Sequence, residues 1–466
     1  MPKNSPTDAI LDQLRASGGV APGGVLRAAV PEISQPTFSR IIQGLRDRII
    51  VLGRGRGATY ALLRNVRGMG STFPIHVVDE HGQIRRAATL LAVGSSQYWV
   101  EMEDGRGRLY DDIPFFIQDM RPQGFIGRSF GTRYPDLDLP VRINDWNQDH
   151  VMTALLMHGE DCPGNLVIGE ASLKHFIAGQ ERGTAIPEAE RASRYDAMAT
   201  AAIDGQPVGS SAGGEQLKFT ALLERSEAPQ AVIVKFSPLL TSASGRRWAD
   251  LLICEELALQ FARAAGIPSS RAEVLVTAER AYLQVDRFDR IGANGRKGIV
   301  SLGALDDELF GERNTTYIEA ADRLEHAGVV THEECEQLRW IGIFGSLIAN
   351  TDMHYGNVSL FFDLEMHYRL APLYDMLPML YAPQAEQIIA REFAPGVPSS
   401  TAASQWKSAS HTAATYWNAV ATDDRISAEF RAIAAENHAK VANIAARLAT
   451  YQARPISATR SRKRLQ

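Results

Sequence analysis

The chain has 466 residues, 45% of them hydrophobic, so it is long enough to bury two or three hydrophobic cores. Its net charge of −5 at pH 7 excludes a global field that would draw the whole chain to nucleic acid or to a membrane. The three cysteines lie far apart, which excludes a disulfide framework and a paired-cysteine metal site.

The apolar segments predict a cytoplasmic protein with no membrane partner. The N-terminus lacks the basic stretch followed by apolar residues that marks a secretory signal. No apolar run approaches the ~20 residues needed to span a bilayer.

The charge is unevenly distributed along the chain. Residues 1–65 contain nine Lys and Arg but only four Asp and Glu, a net charge of +5. The rest of the chain holds the remaining 40 basic and 50 acidic residues, a net charge of −10. A small basic head on an acidic body predicts a polyanion partner for the N-terminus.

The basic head is predicted to contain three helices followed by a β-hairpin. Apolar spacing predicts helices over 8–16 and 22–29, and Ser34 is a predicted N-cap for a third helix. Two β-like runs then flank a glycine-rich tip at 53–57. This order predicts a winged helix-turn-helix domain over residues 1–65.

The third helix and the hairpin tip carry the residues expected to contact double-stranded DNA. In this type of domain the helix after the turn enters the major groove, and the wing contacts phosphates or the minor groove. The candidates are Gln35, Thr37, Ser39 and Arg40 on the helix and Arg54 and Arg56 on the wing. A three-helix packing or dimerisation module with a solvated basic face would have the same apolar pattern.

The remainder divides into a β-rich part and a mainly helical part. Short β-like runs alternate with Gly and Pro over 70–150, and residues 176–208 are predicted to be a helix or a connector. Strands, a helix and another strand follow, and then helices near 315–350 and up to about 452. We therefore predict domains over 66–240 and 241–466.

The segment 350–357 contains the strongest chemical signal, Asp352 and Asn357 in a D-x-x-x-x-N spacing. An apolar helix precedes it, and a short β-hairpin leading to Asp375 follows it. Phosphoryl transfer needs one carboxylate to take up the hydroxyl proton and hard oxygen ligands to hold Mg²⁺. Asp352, Asn357 and Asp375 fit these roles, although a polar loop that caps a helix would contain the same residue types.

Two upstream features are consistent with phosphate binding. Residues 209–218 are rich in glycine, and their backbone N–H groups could converge on an anion. Glu215 and Gln216 stand where a P-loop would need Lys and Ser or Thr, which disfavours a P-loop NTPase. Lys235 follows an apolar strand and precedes a helix bearing Glu255 and Glu256, as in the kinase strand whose lysine contacts phosphates.

Together these motifs resemble the HipA family of toxin–antitoxin kinases. The matching stretches are SSAGGEQLKF, VIVKFS, ICEELALQFARAAGI, YLQVDRFDR, IANTDMHYGNVSLFF and LAPLYDM, in family order over about 209–380. The resemblance implies an α+β fold of the two-lobed, protein-kinase-like HipA type, with ATP and Mg²⁺ as cofactors. It also implies Ser/Thr phosphorylation of a protein, such as an aminoacyl-tRNA synthetase, that arrests growth.

The resemblance also implies a role for each matching residue. Asp352 corresponds to the catalytic base, and Asn357 and Asp375 correspond to the Mg²⁺ ligands. The implied ATP contacts are Gly209, Ser211, Ala212, Gly213 and Gly214 of the loop, Lys235 with its partner Glu255, and Asp286 and Phe288 at the hinge. Ser210 or Ser211 is the implied site of inhibitory autophosphorylation.

The fused head departs from the usual HipA pattern, in which a separate antitoxin supplies the DNA-binding module. It resembles the single-chain, YjjJ-like branch of the family, with autoregulation by DNA binding, a separate antitoxin and a homodimer as further expectations. Two alternatives remain: a small-molecule phosphotransferase, and a DNA-binding regulator whose kinase-like body is inactive.

Overall fold

The computed structural model describes residues 5–53, 57–180, 184–204, 216–313, 315–384, 386–396 and 402–451. The chain forms two compact units, and the division passes through a strand at residues 233 and 234. The first unit comprises 1–233, 287–300 and 307–309, and the second comprises 234–286, 301–306 and 310–466. Within the described ranges, no helix combines the length and apolarity needed to cross a bilayer.

The first unit begins with the predicted three helices and a small sheet. Its elements are α1 (Pro6–Ala16), β1 (Val20–Pro22), α2 (Gly23–Ala28), α3 (Gln35–Gly44), β2 (Ile49–Leu52) and β3 (Thr59–Leu62). The Ser34 hydroxyl accepts a hydrogen bond from the Thr37 amide, which confirms the predicted N-cap of α3. β1 is a strand that the sequence did not predict, and it pairs with β3 in a sheet of order β1-β3-β2.

A five-stranded antiparallel sheet follows, with strand order β7-β6-β5-β4-β8. Its strands are β4 (Thr72–Val78), β5 (Ile84–Val93), β6 (Gln97–Met102), β7 (Gly107–Tyr110) and β8 (Leu166–Ile168). The head packs directly on this sheet, because Leu52 and Ala61 of the head share one apolar cluster with Leu91 and Val93 of β5. The β-rich character predicted for 70–150 is confirmed for 72–110, whereas short helices and the start of a longer one occupy 115–150.

Three short helices and three longer ones complete this part of the first unit. They are α4 (Phe115–Gln118), α5 (Gly124–Gly127), α6 (Phe130–Arg133), α7 (Gln148–His158), α8 (Glu170–Gln180) and α9 (Arg191–Ile203). Strand β9 (Lys218–Leu223) and the first half of β10 (Gln230–Phe236) follow. The hairpin of β13 (Arg290–Ile291) and β14 (Gly295–Arg296) also belongs to this unit.

The second unit is mainly helical. It holds α10 (Ala243–Ala264), β11 (Ala272–Val276), β12 (Ala281–Asp286), α12 (Tyr317–His326), α13 (His332–Leu347), β16 (Ser359–Phe362), β17 (Tyr368–Leu370), α14 (Ala403–Thr422) and α15 (Ala428–Tyr451). Strand β15 (Ile299–Ser301) and α11 (Leu302–Leu309) span the division between the units.

Two packing arrangements position the chemical groups of the second unit. Leu252 of α10 packs against Ala281, Leu283 and Val285 of β12, which fixes the helix on the strand pair β11–β12. The Trp417 indole of α14 donates a hydrogen bond to Leu347 O (2.9 Å), which satisfies a carbonyl at the C-terminus of α13. This bond fixes the C-terminus of α13, just before the loop at 350–357. The predicted α+β class is confirmed, whereas the division into three domains at residues 65 and 240 stays a prediction.

Candidate active site

Lys235 occupies the centre of a charged cluster in the second unit. Its Nζ atom donates to both carboxylate oxygens of Glu255 on α10, at 2.6 and 2.8 Å, and also contacts Asp375 Oδ1. The Lys235 side chain is 6% exposed and that of Glu255 is fully buried, whereas Asp375 is 28% exposed. The cluster therefore presents one carboxylate to solvent and buries the other.

The balance of charges keeps Lys235 protonated. Burial alone would lower the pKa of its ammonium group, but the negative charges of Asp375 and Glu255 outweigh burial and raise that pKa above its ordinary value. The ammonium group therefore stays charged, with its hydrogen bonds directed at Glu255 and Asp375. Lys235 lies inside β10, one residue before its end, so the strand is longer than the sequence predicted.

The two acidic residues of α10 have different partners. Glu255 contacts Lys235, whereas Glu256 Oε1 accepts from the Val274 amide (2.9 Å) and Glu256 Oε2 accepts from Arg425 (2.8 Å). Glu256 therefore joins α10 to β11 and to the loop before α15. Glu255 is the residue that the structure brings to the lysine.

Asn350 links the catalytic-loop candidate to the metal-ligand candidate. Its side-chain oxygen accepts from the Asp352 amide (3.1 Å), and its side-chain nitrogen donates to the Asp375 carbonyl (3.3 Å). Asn350 is buried, whereas Asp352 is exposed. The sequence analysis gave Asn350 no role, because an asparagine in a loop carries no signal of its own.

Asn357 is joined to the same loop. Its Nδ2 atom donates to the Asp352 carbonyl (2.8 Å), and its amide donates to the His354 carbonyl (2.9 Å). The His354 ring accepts from the Gly356 amide (3.1 Å), so this histidine shapes the turn. Residues 352–357 therefore hydrogen-bond to one another, and none of these bonds uses the Asp352 carboxylate.

Tyr317 of α12 lies near both candidate carboxylates. Burial, followed by the negative charges of Asp375 and Asp352, raises the pKa of its hydroxyl above the ordinary value. That hydroxyl donates to the His354 carbonyl (2.8 Å). Asp352 and Asp375 are 23 residues apart in sequence, and both act on Tyr317.

Arg323 and Tyr355 stabilise the loop at 350–357 from within the second unit. Arg323 of α12 donates to Asp306 (2.9 Å) and to the Tyr355 hydroxyl (3.0 Å), and Tyr355 is buried within the loop. The sequence analysis missed Arg323 and Tyr317, because they lie more than 30 residues before their partners in the motif and only the folded structure brings them to it.

Asp375 adopts an unusual backbone conformation, with φ of +52°. Non-glycine residues rarely adopt this left-handed conformation, and aspartate tolerates it better than most. The bond from Asn350 to its carbonyl helps to hold it there. This conformation directs the Asp375 side chain to Lys235.

The remaining predicted ATP contacts are only partly described. Gly209, Ser210, Ser211, Ala212, Gly213 and Gly214 lie outside the described residues. Asp286 ends β12, and its amide donates to Arg271 O (2.8 Å). Phe288 lies in the first unit and is half-buried.

The predicted DNA-contacting residues are partly described as well. Gln35, Ser39 and Arg40 are exposed on α3, while Phe38 and Ile42 are buried on its opposite face. Thr37 is half-buried, and its hydroxyl shares a hydrogen bond with the N-cap residue Ser34 (2.9 Å), so its contact with DNA stays a prediction. Arg54 and Arg56 lie outside the described residues.

The side chains of Asp375 and Asn357 are of the types that fit a magnesium ion. Mg²⁺ prefers hard oxygen ligands such as carboxylates and amide oxygens. The Asp375 carboxylate is partly exposed, and Asn357 uses its nitrogen in the bond to Asp352, so its oxygen is the atom suited to a metal. Asp375 and Asn357 stay the predicted residues that would hold the ion.

Comparisons with known proteins agree with the motifs. A family model for the "YjjJ-like toxin, middle domain" matches residues 69–177, and one for the "HipA-like C-terminal domain" matches residues 210–448. The chain is 37% identical over 422 residues to Toxin YjjJ of Escherichia coli (strain K12), covering 90% of this chain and 94% of that protein. The chain belongs to the YjjJ-like toxins of the HipA family.

Two solved structures resemble this member of the HipA family more distantly. One is the Shewanella oneidensis MR-1 HipA in complex with HipB and operator DNA, with a TM-score of 0.48 and 15% identity over 82% of this chain and 100% of that chain. The other is the Helicobacter pylori proinflammatory kinase CtkA, with a TM-score of 0.38 and 13% identity over 53% and 96% of the two chains. The family assigned from the sequence is confirmed by the closer sequence matches.

Proposed function

We propose that this HipA-family protein is an ATP-dependent serine/threonine protein kinase that acts as the toxin of a type II toxin–antitoxin system. The observation that carries the proposal is the Lys235 cluster, in which one buried ammonium group contacts Glu255 and Asp375. A lysine and glutamate pair next to a metal-binding aspartate is the arrangement that protein kinases use to hold nucleotide phosphates.

Each residue then has a definite task. Lys235, held by Glu255, would contact the α- and β-phosphates. The exposed Asp352 carboxylate would accept the proton of the attacking substrate hydroxyl, and Asn350 would keep Asp352 in register with Asp375. Mg²⁺, when bound, would neutralise phosphate charge. Gly209–Gly214 are the proposed phosphate loop, with Ser210 or Ser211 as its autophosphorylation site.

The basic head supports a second part of the proposal, which is autoregulation by DNA binding. Helix α3 exposes Gln35, Ser39 and Arg40 and buries its apolar face, as a recognition helix must. The HipA of S. oneidensis was solved with HipB and operator DNA. We propose double-stranded DNA as a ligand of residues 1–65, and a separate antitoxin and a homodimer as further partners.

The activity and its target can be tested in one experiment. We expect phosphoproteomics of cells expressing the wild type to show phosphoserine or phosphothreonine sites that are absent with the Asp352→Ala variant, with growth arrest only in the wild type. Incubation of a lysate with γ-labelled ATP should place the label on protein. Label on a small molecule would support a small-molecule phosphotransferase instead, and growth arrest that persists in Asp352→Ala would support a non-enzymatic regulator.

A further inference from the structure

A cluster of two histidines and a glutamate lies in the first unit, remote in sequence from the residues proposed for phosphoryl transfer. His158 ends α7, Glu160 follows two residues later, and His175 lies on α8. Each offers one ligand atom, and these atoms all lie within 4.8 Å of one another. We propose that His158, Glu160 and His175 form a binding site for a zinc-class transition metal ion.

The two imidazole rings are already placed side by side. Their centroids are 4.9 Å apart, and their planes differ by 10°. His175 Nδ1 lies 2.9 Å from the Met157 carbonyl and 3.9 Å from Glu160 Oε2. A ring nitrogen that donates to a backbone carbonyl is the usual support of a histidine ligand, since it fixes the tautomer and orients the ring.

The glutamate provides a second and independent observation. Glu160 Oε2 is buried and accepts no hydrogen bond within the described part of the chain. Buried carboxylate oxygens are normally paired, so this atom lacks the partner that a cation would supply. Nearby charges are mixed, because Asp161 is acidic and the buried Arg296 donates to the backbone carbonyl of Glu160.

The ligand types select the class of metal. Two imidazole nitrogens and one carboxylate oxygen suit Zn²⁺, whereas Mg²⁺ and Ca²⁺ prefer oxygen ligands throughout. Tetrahedral zinc with bonds of about 2.0–2.2 Å separates its ligand atoms by roughly 3.3–3.6 Å, so the three side chains would have to move together by about 1 Å. His175 is 45% exposed and Glu160 is 28% exposed, which leaves them room to do so. Water would fill the fourth position.

Aromatic packing is the competing explanation for the cluster. The His158 ring also stacks on Tyr134, with centroids 3.7 Å apart, and Phe130 lies against both rings. Packing accounts for the position of His158. It does not account for a carboxylate oxygen that is buried beside the stack without a donor.

A bound ion would connect the C-terminus of α7 to α8. One ligand would come from the last residue of α7, one from the loop that follows it and one from α8. Zinc should therefore raise the thermal stability of the first unit, since an ion that binds only the folded state stabilises it by mass action.

The test uses the untagged full-length chain, stripped with a chelator and titrated with ZnCl₂ against a chromophoric competitor. We expect the wild type to bind one equivalent more than His175→Ala. His332→Ala is the matched control, because His332 also contacts a glutamate, Glu325, but belongs to an exposed pair outside this cluster. This variant should bind zinc like the wild type.

Glu160→Gln keeps the shape of the side chain and guards against a folding defect in His175→Ala, with circular dichroism as the check. We expect its zinc affinity to fall by at least about tenfold. Zinc should raise the melting temperature of the wild type but not that of Glu160→Gln, and MgCl₂ at the same concentration should have no such effect. Equal stoichiometry and affinity in the wild type, His175→Ala and Glu160→Gln would make this a packing cluster only and overturn the proposal.

Discussion

At the scale of single residues, Asn350 connects the two candidate carboxylate residues. It bridges the amide of Asp352 and the carbonyl of Asp375 with one buried side chain. Removing this bridging amide takes one hydrogen bond from each of two part-buried backbone groups, which costs about 0.5–1.5 kcal/mol per bond. It also removes the link between Asp352, the proposed base, and Asp375, a proposed metal ligand.

We therefore predict that Asn350→Ala lowers kcat by about tenfold to a hundredfold, since small misplacements in an active site cost this much. KM for ATP should change little, because Lys235 and Glu255 remain in place. Steady-state kinetics provide the measurement.

Asn437→Ala is the matched control, since Asn437 is also a buried amide and donates to the Tyr381 hydroxyl (2.8 Å). It should lower stability without a selective effect on kcat. Equal kinetic effects of the two substitutions would mean that Asn350 only stabilises the fold.

At the scale of elements, a buried ionic cluster fixes the loop between α7 and β8 to the β13–β14 hairpin. Asp289 binds Arg287 (2.9 Å) and Arg290 (2.7 Å) and accepts from the Gly164 amide (3.0 Å). Burial alone would raise the pKa of Asp289, but the two arginines outweigh burial and lower that pKa below its ordinary value of 3.8. The charged carboxylate is therefore the stabilising form.

Asp289→Asn should destabilise the protein by about 3 kcal/mol at pH 7, because two buried arginines lose their nearer counter-charge. The carboxylate of Asp161 would remain, at 3.2 Å from Arg290 and 3.8 Å from Arg287. A lowered carboxylate pKa stabilises above the ordinary value and loses its effect as pH falls through the folded value. The difference between wild type and variant should thus be constant from pH 7 to about 5 and shrink only below 3.8. Urea denaturation at several pH values tests this, and a difference that already shrinks near pH 6 would contradict it.

Helix α3 provides the second prediction at this scale. Arg40→Ala should weaken binding to the operator by about 1–3 kcal/mol if Arg40 contacts a base, and should reduce the salt slope by about one if it contacts a phosphate. Fluorescence anisotropy across a salt series separates the two outcomes. Arg15→Ala is the control, because Arg15 is an exposed arginine on α1 that pairs with Asp12 (2.7 Å). Unchanged affinity and slope in Arg40→Ala would remove α3 from the interface.

At the scale of the whole molecule, catalysis and DNA binding should be separable. Asp375→Ala removes a proposed metal ligand and should abolish ATP turnover, while operator binding stays at the wild-type level. Asp424→Ala, which removes an aspartate that is 96% exposed, should leave both activities unchanged. Coupled enzyme assays and anisotropy on the same preparations test this, and loss of both activities in Asp375→Ala would indicate misfolding.

The sequence predicted those features that depend on local pattern. Ser34 and the spacing of Phe38 and Ile42 were sufficient for α3, because capping and helical periodicity are properties of neighbouring residues. Motif spacing likewise pointed to Lys235 and Asp375, and the resemblance to the HipA family selected Glu255 over Glu256. The structure brings Lys235, Glu255 and Asp375 together.

Features that depend on tertiary packing were not predicted. Strand β1 has three residues, too few for a recognisable period, and it exists because β3 supplies its hydrogen bonds. Tyr317 and Arg323 reach the proposed catalytic loop only through the packing of α12; they lie 37 and 32 residues before their partners His354 and Tyr355. The three residues of the proposed zinc site likewise have no spacing that marks a metal motif.

The contact between the head and the five-stranded sheet limits how the protein can be dissected. A Cβ atom on Gly19 would lie 2.5 Å from the Cα of Gly94, so two glycines allow the backbones of the two parts to touch. Leu52 and Ala61 of the head cover Leu91 and Val93 of the sheet. Removal of residues 1–65 would therefore expose an apolar surface on the sheet and promote aggregation. The proposed DNA-binding head is therefore a packed part of the first unit, and a fragment that lacks it would need substitutions at Leu91 and Val93 to stay folded and monomeric.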